Sequence, residues 1–243
     1  MILRGSNGAV SLATGGLAVL AASVVVGCGG SEARIAQAPA APTFTDPRTI
    51  DNPYLPVTTH ARCELSGENV DGEEERSIKT VLDGVKTFDA EGRRVDAVIV
   101  QDDAYEDSKL VETTLDYLAQ ADDGTVHYMG EQVKNLKDGK VVDTEGTWLY
   151  GKDTDRMGVA MPAQPTLGLQ WRFEDVPGLT MESNRVEEVG LRAKVDGRII
   201  TDAIRVSEFI QPEGETEHKV YAPGIGSIAE YSPDAQVQYA GCA

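Results

Sequence analysis

Lys109-Leu110-Val111-Glu112-Thr113-Thr114-Leu115-Asp116-Tyr117-Leu118 is the stretch whose reading decides the fold class. In an extended chain, successive side chains point to opposite faces. Val111, Thr113, Leu115 and Tyr117 therefore share one face, and Glu112, Thr114 and Asp116 the other. Such alternation predicts a strand of a sheet with one buried side.

Outward from that stretch, turn signals recur: Asp71-Gly72, Asp83-Gly84, Glu91-Gly92, Asp123-Gly124, Asp138-Gly139 and Asp196-Gly197. An acidic residue followed by glycine suits the left-handed backbone of tight hairpin turns. Segments rich in Val, Ile, Thr and Tyr lie between them, and strands are predicted at Arg76–Leu82, Arg94–Gln101, Thr125–Val133, Thr147–Tyr150, Leu169–Glu174, Ile199–Ile210, Glu217–Tyr221 and Ser227–Tyr231. No long helical period appears, although Asp46–Asn52 and Pro233–Gln238 suit a turn or two of helix. The expected fold is mainly β, an antiparallel meander curling into a barrel or half-barrel with few short helices; a β-sandwich is the alternative.

The N-terminal 28 residues have the parts of a secretory signal: a basic start at Arg4, an apolar run from Ala9 to Val26, and small residues before a cleavage point. Val25-Val26-Gly27-Cys28 resembles the bacterial lipobox, with valine where leucine is more usual. The resemblance implies cleavage before Cys28, lipidation of its sulfur, and retention on a membrane outside the cytoplasm. A plain transmembrane anchor is the competing reading, because the apolar run is about as long as the shortest spanning helices. Gly29 follows where some two-membrane bacteria read an aspartate as an inner-membrane retention signal, so the resemblance favours the outer membrane there, and the cell surface in a one-membrane organism. The expected division is a lipoprotein signal peptide at 1–27, a lipidated cysteine and Gly/Ala/Ser/Pro-rich tether at 28–43, and a single β-rich extracytoplasmic domain at 44–243.

Without Arg4 the processed chain carries 21 basic side chains against 40 acidic ones. Such a surface repels nucleic-acid phosphates and anionic headgroups, which excludes nucleic acid as a partner and leaves the lipid on Cys28 to supply the membrane contact. Most of the acids read as solubility. Two cysteines remain in the domain, Cys63 and Cys242. In an oxidising compartment an even pair is expected to bridge, setting the first and last strands side by side.

Asp116-Tyr117-Leu118-Ala119-Gln120-Ala121-Asp122-Asp123-Gly124-Thr125-Val126-His127-Tyr128-Met129-Gly130-Glu131 resembles a pattern of uncharacterised secreted and lipoprotein sequences of bacteria, D-W-Y-A-Q-D-x-D-G-N-V-W-Y-F-G-E. Gly146-Thr147-Trp148-Leu149-Tyr150-Gly151 and Pro165-Thr166-Leu167-Gly168-Leu169-Gln170-Trp171 match its later segments. Asp51-Asn52-Pro53-Tyr54-Leu55-Pro56 and Lys219-Val220-Tyr221-Ala222-Pro223-Gly224-Ile225-Gly226 fit as well. The resemblance spans about residues 44 to 231 and implies structural motifs rather than an activity. Ala121 and His127 depart from the pattern, standing where it has aspartate and tryptophan.

No metal site is expected. With Ala121 in place, Asp122 and Asp123 read as an acidic hairpin turn rather than a calcium loop, and Asp153-Thr154-Asp155 has the same weakness. On a strand, His127 and Glu131 sit about 13 Å apart, at roughly 3.3 Å per residue, so one ion cannot take both. No Gly-x-Ser-x-Gly elbow is present and no cofactor motif appears. Asp116 and Glu131 are weak catalytic candidates, close together if their strands pair across the Asp123-Gly124 turn.

Tyr117, Tyr128, Trp148, Tyr150 and Trp171 fall on predicted strands and are candidates to line a curved sheet, against the plainer reading of core packing. The leading functional expectation is a membrane-anchored, non-enzymatic envelope lipoprotein that binds an apolar small molecule or an envelope protein. A structural envelope lipoprotein without a ligand, and a hydrolase using paired carboxylates, are the alternatives.

Overall fold

A computed structural model describes residues 41–243, except Pro212 and Glu213. The expected signal segment at 1–27 and Cys28 lie outside the described residues. A single 3-10 turn, Val57–Thr59, precedes fourteen strands: β1 (Arg62–Asn69), β2 (Glu74–Ala90), β3 (Arg93–Glu106), β4 (Lys109–Gln120), β5 (Val126–Lys137), β6 (Lys140–Asp143), β7 (Trp148–Leu149), β8 (Gly158–Met161), β9 (Gln170–Val176), β10 (Thr180–Val195), β11 (Arg198–Gln211), β12 (Glu215–Ala222), β13 (Gly226–Tyr231) and β14 (Ala235–Cys242). All belong to one antiparallel sheet that does not close, a curled meander rather than a sandwich.

The strand order is β6-β5-β4-β3-β2-β1-β14-β13-β12-β11-β10-β9, with β7 and β8 both paired to β5. Two meanders, each running along the sequence, thus meet where β1 pairs with β14. Cys63 and Cys242 face each other at that junction with their sulfurs at disulfide distance, 1.95 Å. The sheet's two ends approach each other at β8 and β9. A methyl group at Gly158 would stand 2.0 Å from the Phe173 carbonyl oxygen, so only glycine lets the two strands lie so close.

Tight turns join the strands where an acidic residue precedes glycine. Glu91-Gly92, Asp138-Gly139 and Asp196-Gly197 all have both residues at positive φ, the geometry whose twist matches a hairpin. Asp83-Gly84 differs: it is a bulge inside the long β2, where the register against β3 shifts between Leu82 and Val85, and not a turn. Pro233–Gln238 is not helical either. Ala235 begins β14, whose backbone pairs with both β1 and β13. Asp46–Thr49 forms a turn, closed by Thr49 N–H on the Asp46 carbonyl.

Pro42–Ala243 forms one compact unit that contains all three clusters of core residues. The clusters divide between the sheet's two faces. Val98, Val100, Leu118, Val186, Ile204, Val206 and Tyr221 point inward with Tyr128 and Trp148. Phe88, Val95, Ala97, Tyr117, Ala119 and Met129 form an outer cluster covered by Phe44, Leu149 and Tyr150. Val195, Ala203, Ala222 and Ile228 form another.

The face of β4 expected to be buried is therefore the outer one. Glu112, Thr114 and Asp116 point inward in line with Leu118, while Val111, Thr113 and Leu115 stay half exposed. Alternation told the two faces apart but not which was enclosed, because the interior of this sheet is itself partly polar.

Candidate functional site

The inner face is divided into two zones, and the sequence repeats the division on one strand after another. Inward side chains run from polar to apolar as Lys79 to Val81 on β2, Asp102 to Val100 on β3 and Asp116 to Leu118 on β4. They do so again as Asn184 to Val186 on β10, Glu208 to Val206 on β11 and Lys219 to Tyr221 on β12. Stacked across the sheet, these steps give the interior a charged half and an apolar half.

The segment Ile50–Val57 packs on the apolar half, with Ile50 fully buried and Tyr54, Leu55 and Val57 against the same cluster. Asn52 anchors it. Its side-chain amide donates to the carbonyls of Gly124 and Pro162, its Oδ1 accepts from the Tyr54 N–H, and its own N–H reaches the Gln120 side chain. Gly224 N–H donates to the Pro53 carbonyl from the opposite side.

Between this segment and the charged half lies a cavity of about 170 Å³. Leu55, Pro56, Val81, Leu118, Phe173 and Ile225 supply apolar wall, and Ser77, Lys79, Asp116, Lys219 and Glu230 supply polar wall. For scale, a cavity of about 150 Å³ holds a benzene molecule.

Both lysines are committed. Lys79 Nζ lies 2.6 Å from Asp102 Oδ2, and Lys219 Nζ lies 2.7 Å from Glu208 Oε2. Burial works to raise the Asp102 carboxyl, but Lys79 outweighs it and holds that group down to about 2. Glu230 is likewise penalised by burial and held down to about 2 by Lys219 and Lys79. For both lysines burial disfavours the charge, yet the neighbouring carboxylates more than offset this and raise their pKa values. Asp102, Lys79, Glu230, Lys219 and Glu208 thus form a row of alternating charge, three carboxylates against two ammoniums.

Asp116 stands apart from that row. Burial, and then the Asp102 carboxylate, push it up to about 6, against the opposing pull of Lys79 and a hydrogen bond from Tyr128. Tyr128 Oη donates to Asp116 Oδ1 at 2.8 Å, and its ring is wedged between Trp148 and Phe173.

Behind the wall is a second acidic group. Glu131 sits opposite Asp116 in the β4–β5 register but is 4% exposed and hydrogen-bonded to Glu174. Burial, Glu174 and Asp116 raise its carboxyl well above the usual range. Glu174 accepts from Trp148 Nε1 at 3.0 Å and from the Thr180 hydroxyl. Glu182 is similarly raised, by burial and by Glu208, and Asn184 Nδ2 donates to Glu208.

Of the five candidate aromatics, Tyr128 lines the cavity. Trp148 packs behind it, and Trp171 packs against the same inner cluster. Tyr117 and Tyr150 belong to the outer cluster and do not face the cavity. Asp116 lines the cavity; Glu131 does not. Among the described residues no group of three His, Cys, Asp or Glu side chains is placed to hold a metal ion. Asp122 and Asp123 instead accept hydrogen bonds from Thr45 and from the Thr125 N–H, and Asp153 accepts from the Leu149 N–H.

Lys79, Asp102, Lys219, Glu230, Glu174, Glu182 and Glu208 are functional candidates that strand patterning alone passes over. The available signal is parity: Asp102, Glu208 and Lys219 each stand two residues from a buried apolar side chain on the same face, and Lys79 stands two from the half-buried Val81. Compared with protein-family models, with curated proteins and with solved structures, the chain has no match in any of the three.

Proposed function

We propose that this chain is an extracytoplasmic lipoprotein, processed before Cys28 and held to a membrane by lipid on that cysteine. Its β domain is then a non-enzymatic module that binds a small ligand with an apolar body. The observation that carries the binding reading is the cavity between the Ile50–Val57 segment and the charged half of the interior. It is walled by side chains from both meanders and is partly apolar, as small-molecule sites are.

The hydrolase reading gains less support. Acid–base work by Asp116 and Glu131 needs both carboxyls at one reacting bond. Here Glu131 is sealed behind the wall and bonded to Glu174, so Asp116 lacks that partner at the cavity.

Native mass spectrometry of residues 42–243, before and after denaturation in organic solvent, tests the binding reading. Excess mass lost on denaturation, or a mass shift on adding a neutral six-carbon alcohol, supports it. Bare polypeptide mass under both conditions argues for a structural protein instead. The anchoring reading has a separate test in Cys28→Ala, which is expected to abolish lipid labelling and membrane retention. Unchanged labelling would overturn it.

A further inference from the structure

We infer that the cavity selects a small amine, its ammonium docked on the Asp116 carboxylate and its apolar body lying under Leu55 and Pro56. This rests on the binding reading above and adds the chemistry of the head group.

The charges facing the cavity argue for a cation. Each lysine is already bonded to a carboxylate, at 2.6 Å and 2.7 Å, and Glu230 lies between them with Ser227 Oγ donating to it at 3.0 Å. With three acids for two bases, the row is negative before Asp116 is counted. An anion entering here meets the carboxylates of Asp116 and Glu230 and two ammoniums already bonded to Asp102 and Glu208, which stand behind the lining. A cation meets Asp116, whose recorded hydrogen bond among the described residues is the one from Tyr128. The ammonium of a ligand would pair with Asp116 and stabilise the carboxylate that burial disfavours. The chain's net charge of −18 also concentrates cations near its surface.

Size and polarity narrow the class further. A cavity of about 170 Å³ takes one ring or a chain of about six carbons, not a two-chain lipid. Leu55, Pro56, Val81, Leu118 and Phe173 cover the side away from the charges, so the ligand has one charged end and one apolar end.

The groups facing Asp116 set its pH response. Asp102 from β3 and Glu230 from β13 are held down to about 2, while Lys79 from β2, Lys219 from β12 and Tyr128 from β5 titrate above their ordinary values. Glu131 from β5 is raised as well and is off the wall. Asp116 is a group at the wall that changes charge between about pH 5 and pH 8. His60 also lines the cavity, its Nε2 3.2 Å from the Gly224 carbonyl oxygen, so the pH comparison is repeated on His60→Gln.

The test is calorimetric titration of residues 42–243 with hexylamine, hexanol and hexanoate at about pH 7.5, repeated at about pH 5 and on Asp116→Asn. Hexylamine is expected to bind about tenfold or more tightly than hexanol, as a charge-assisted hydrogen bond implies. That preference should shrink at pH 5 and vanish in Asp116→Asn, with hexanol affinity unchanged in both. If that variant fails to fold, the pH comparison on His60→Gln beside the native sequence decides the matter, because a preference that still shrinks at pH 5 without His60 belongs to Asp116. Equal binding of amine and alcohol would overturn the head-group inference and leave the cavity reading standing. Tightest binding by hexanoate would overturn it in favour of an anion at Lys79 and Lys219. No binding by any of the three would overturn both.

Discussion

Asp116 and Glu131 stand opposite each other across β4 and β5, and burial raises the pKa of both carboxyls, but Asp116 opens on the cavity while Glu131 is bonded to Glu174. The two acids therefore differ in what a substitution would remove. Glu131→Gln keeps a donor for Glu174, and unfolding free energy in urea should stay within about 1 kcal/mol at neutral pH. Glu174→Ala leaves Trp148 Nε1 and the Thr180 hydroxyl without their acceptor, and should cost about 1–3 kcal/mol for each orphaned group. A silent Glu174→Ala would mean that this hydrogen-bond network does not form.

Lys219 is paired with Glu208, whose side chain is 1% exposed, so removing one partner strands a charge. Lys219→Met should destabilise by about 3–5 kcal/mol. Adding Glu208→Gln removes the stranded charge while keeping an acceptor for Asn184, and the double variant should be more stable than Lys219→Met alone. If the two variants unfold at the same urea concentration, the pair is not the buried ion pair described above.

The pH dependence of stability follows from two sets of acids pulling in opposite directions. Asp102 and Glu230 have depressed pKa values, so their contribution is present above their unfolded values and is lost as pH falls from about 4 towards 2. Asp116, Glu131, Glu182 and Glu217 have raised values; the folded state holds protons that the unfolded chain releases. Their contribution is full below the unfolded value and falls as pH rises, through about 6 for Asp116. Melting temperature should therefore peak near about pH 4 to 5 and decline towards pH 8. A maximum at pH 7 or above would show that the raised group does not titrate as described.

Gly158 holds β8 against β9 with no room for a side chain. Gly158→Ala should force the strands apart, cost about 1–3 kcal/mol as overpacking does, and speed hydrogen exchange at Phe173 and its neighbours in β9. Wild-type exchange in that variant would show that the two ends of the sheet do not meet there.

The regular hairpins were legible because their turns need particular residues: Glu91-Gly92, Asp138-Gly139 and Asp196-Gly197 announce left-handed backbone. The Cys63–Cys242 pairing and the adjacency of the first and last strands were legible from the cysteine count. β10 was not, since Thr180–Val195 includes Glu182, Arg185, Glu187, Glu188, Arg192 and Lys194, charges that hide a strand's period. Asp83-Gly84 misled because the same dipeptide that closes a hairpin can sit at a bulge when the strand continues past it.

The site was less legible than the fold for a related reason. Asp116 and Tyr128 were picked out, but Lys79, Lys219 and Glu230 look like ordinary surface charges until the sheet curls and sets them on one wall. A single strand cannot reveal which of its faces is enclosed. That depends on partners far along the chain, such as β12 and β13 for a lysine on β2.

The junction of β1 with β14 has a consequence for the order in which the chain acquires its shape. Hairpins within each meander need only neighbours in sequence, but Cys63 waits for a partner 179 positions away. On a chain delivered from its N-terminus, β1 stays half-paired, with a free thiol, until β14 has arrived. The cystine then acts as a completion mark for the sheet, because the bond joins only once both meanders have been made.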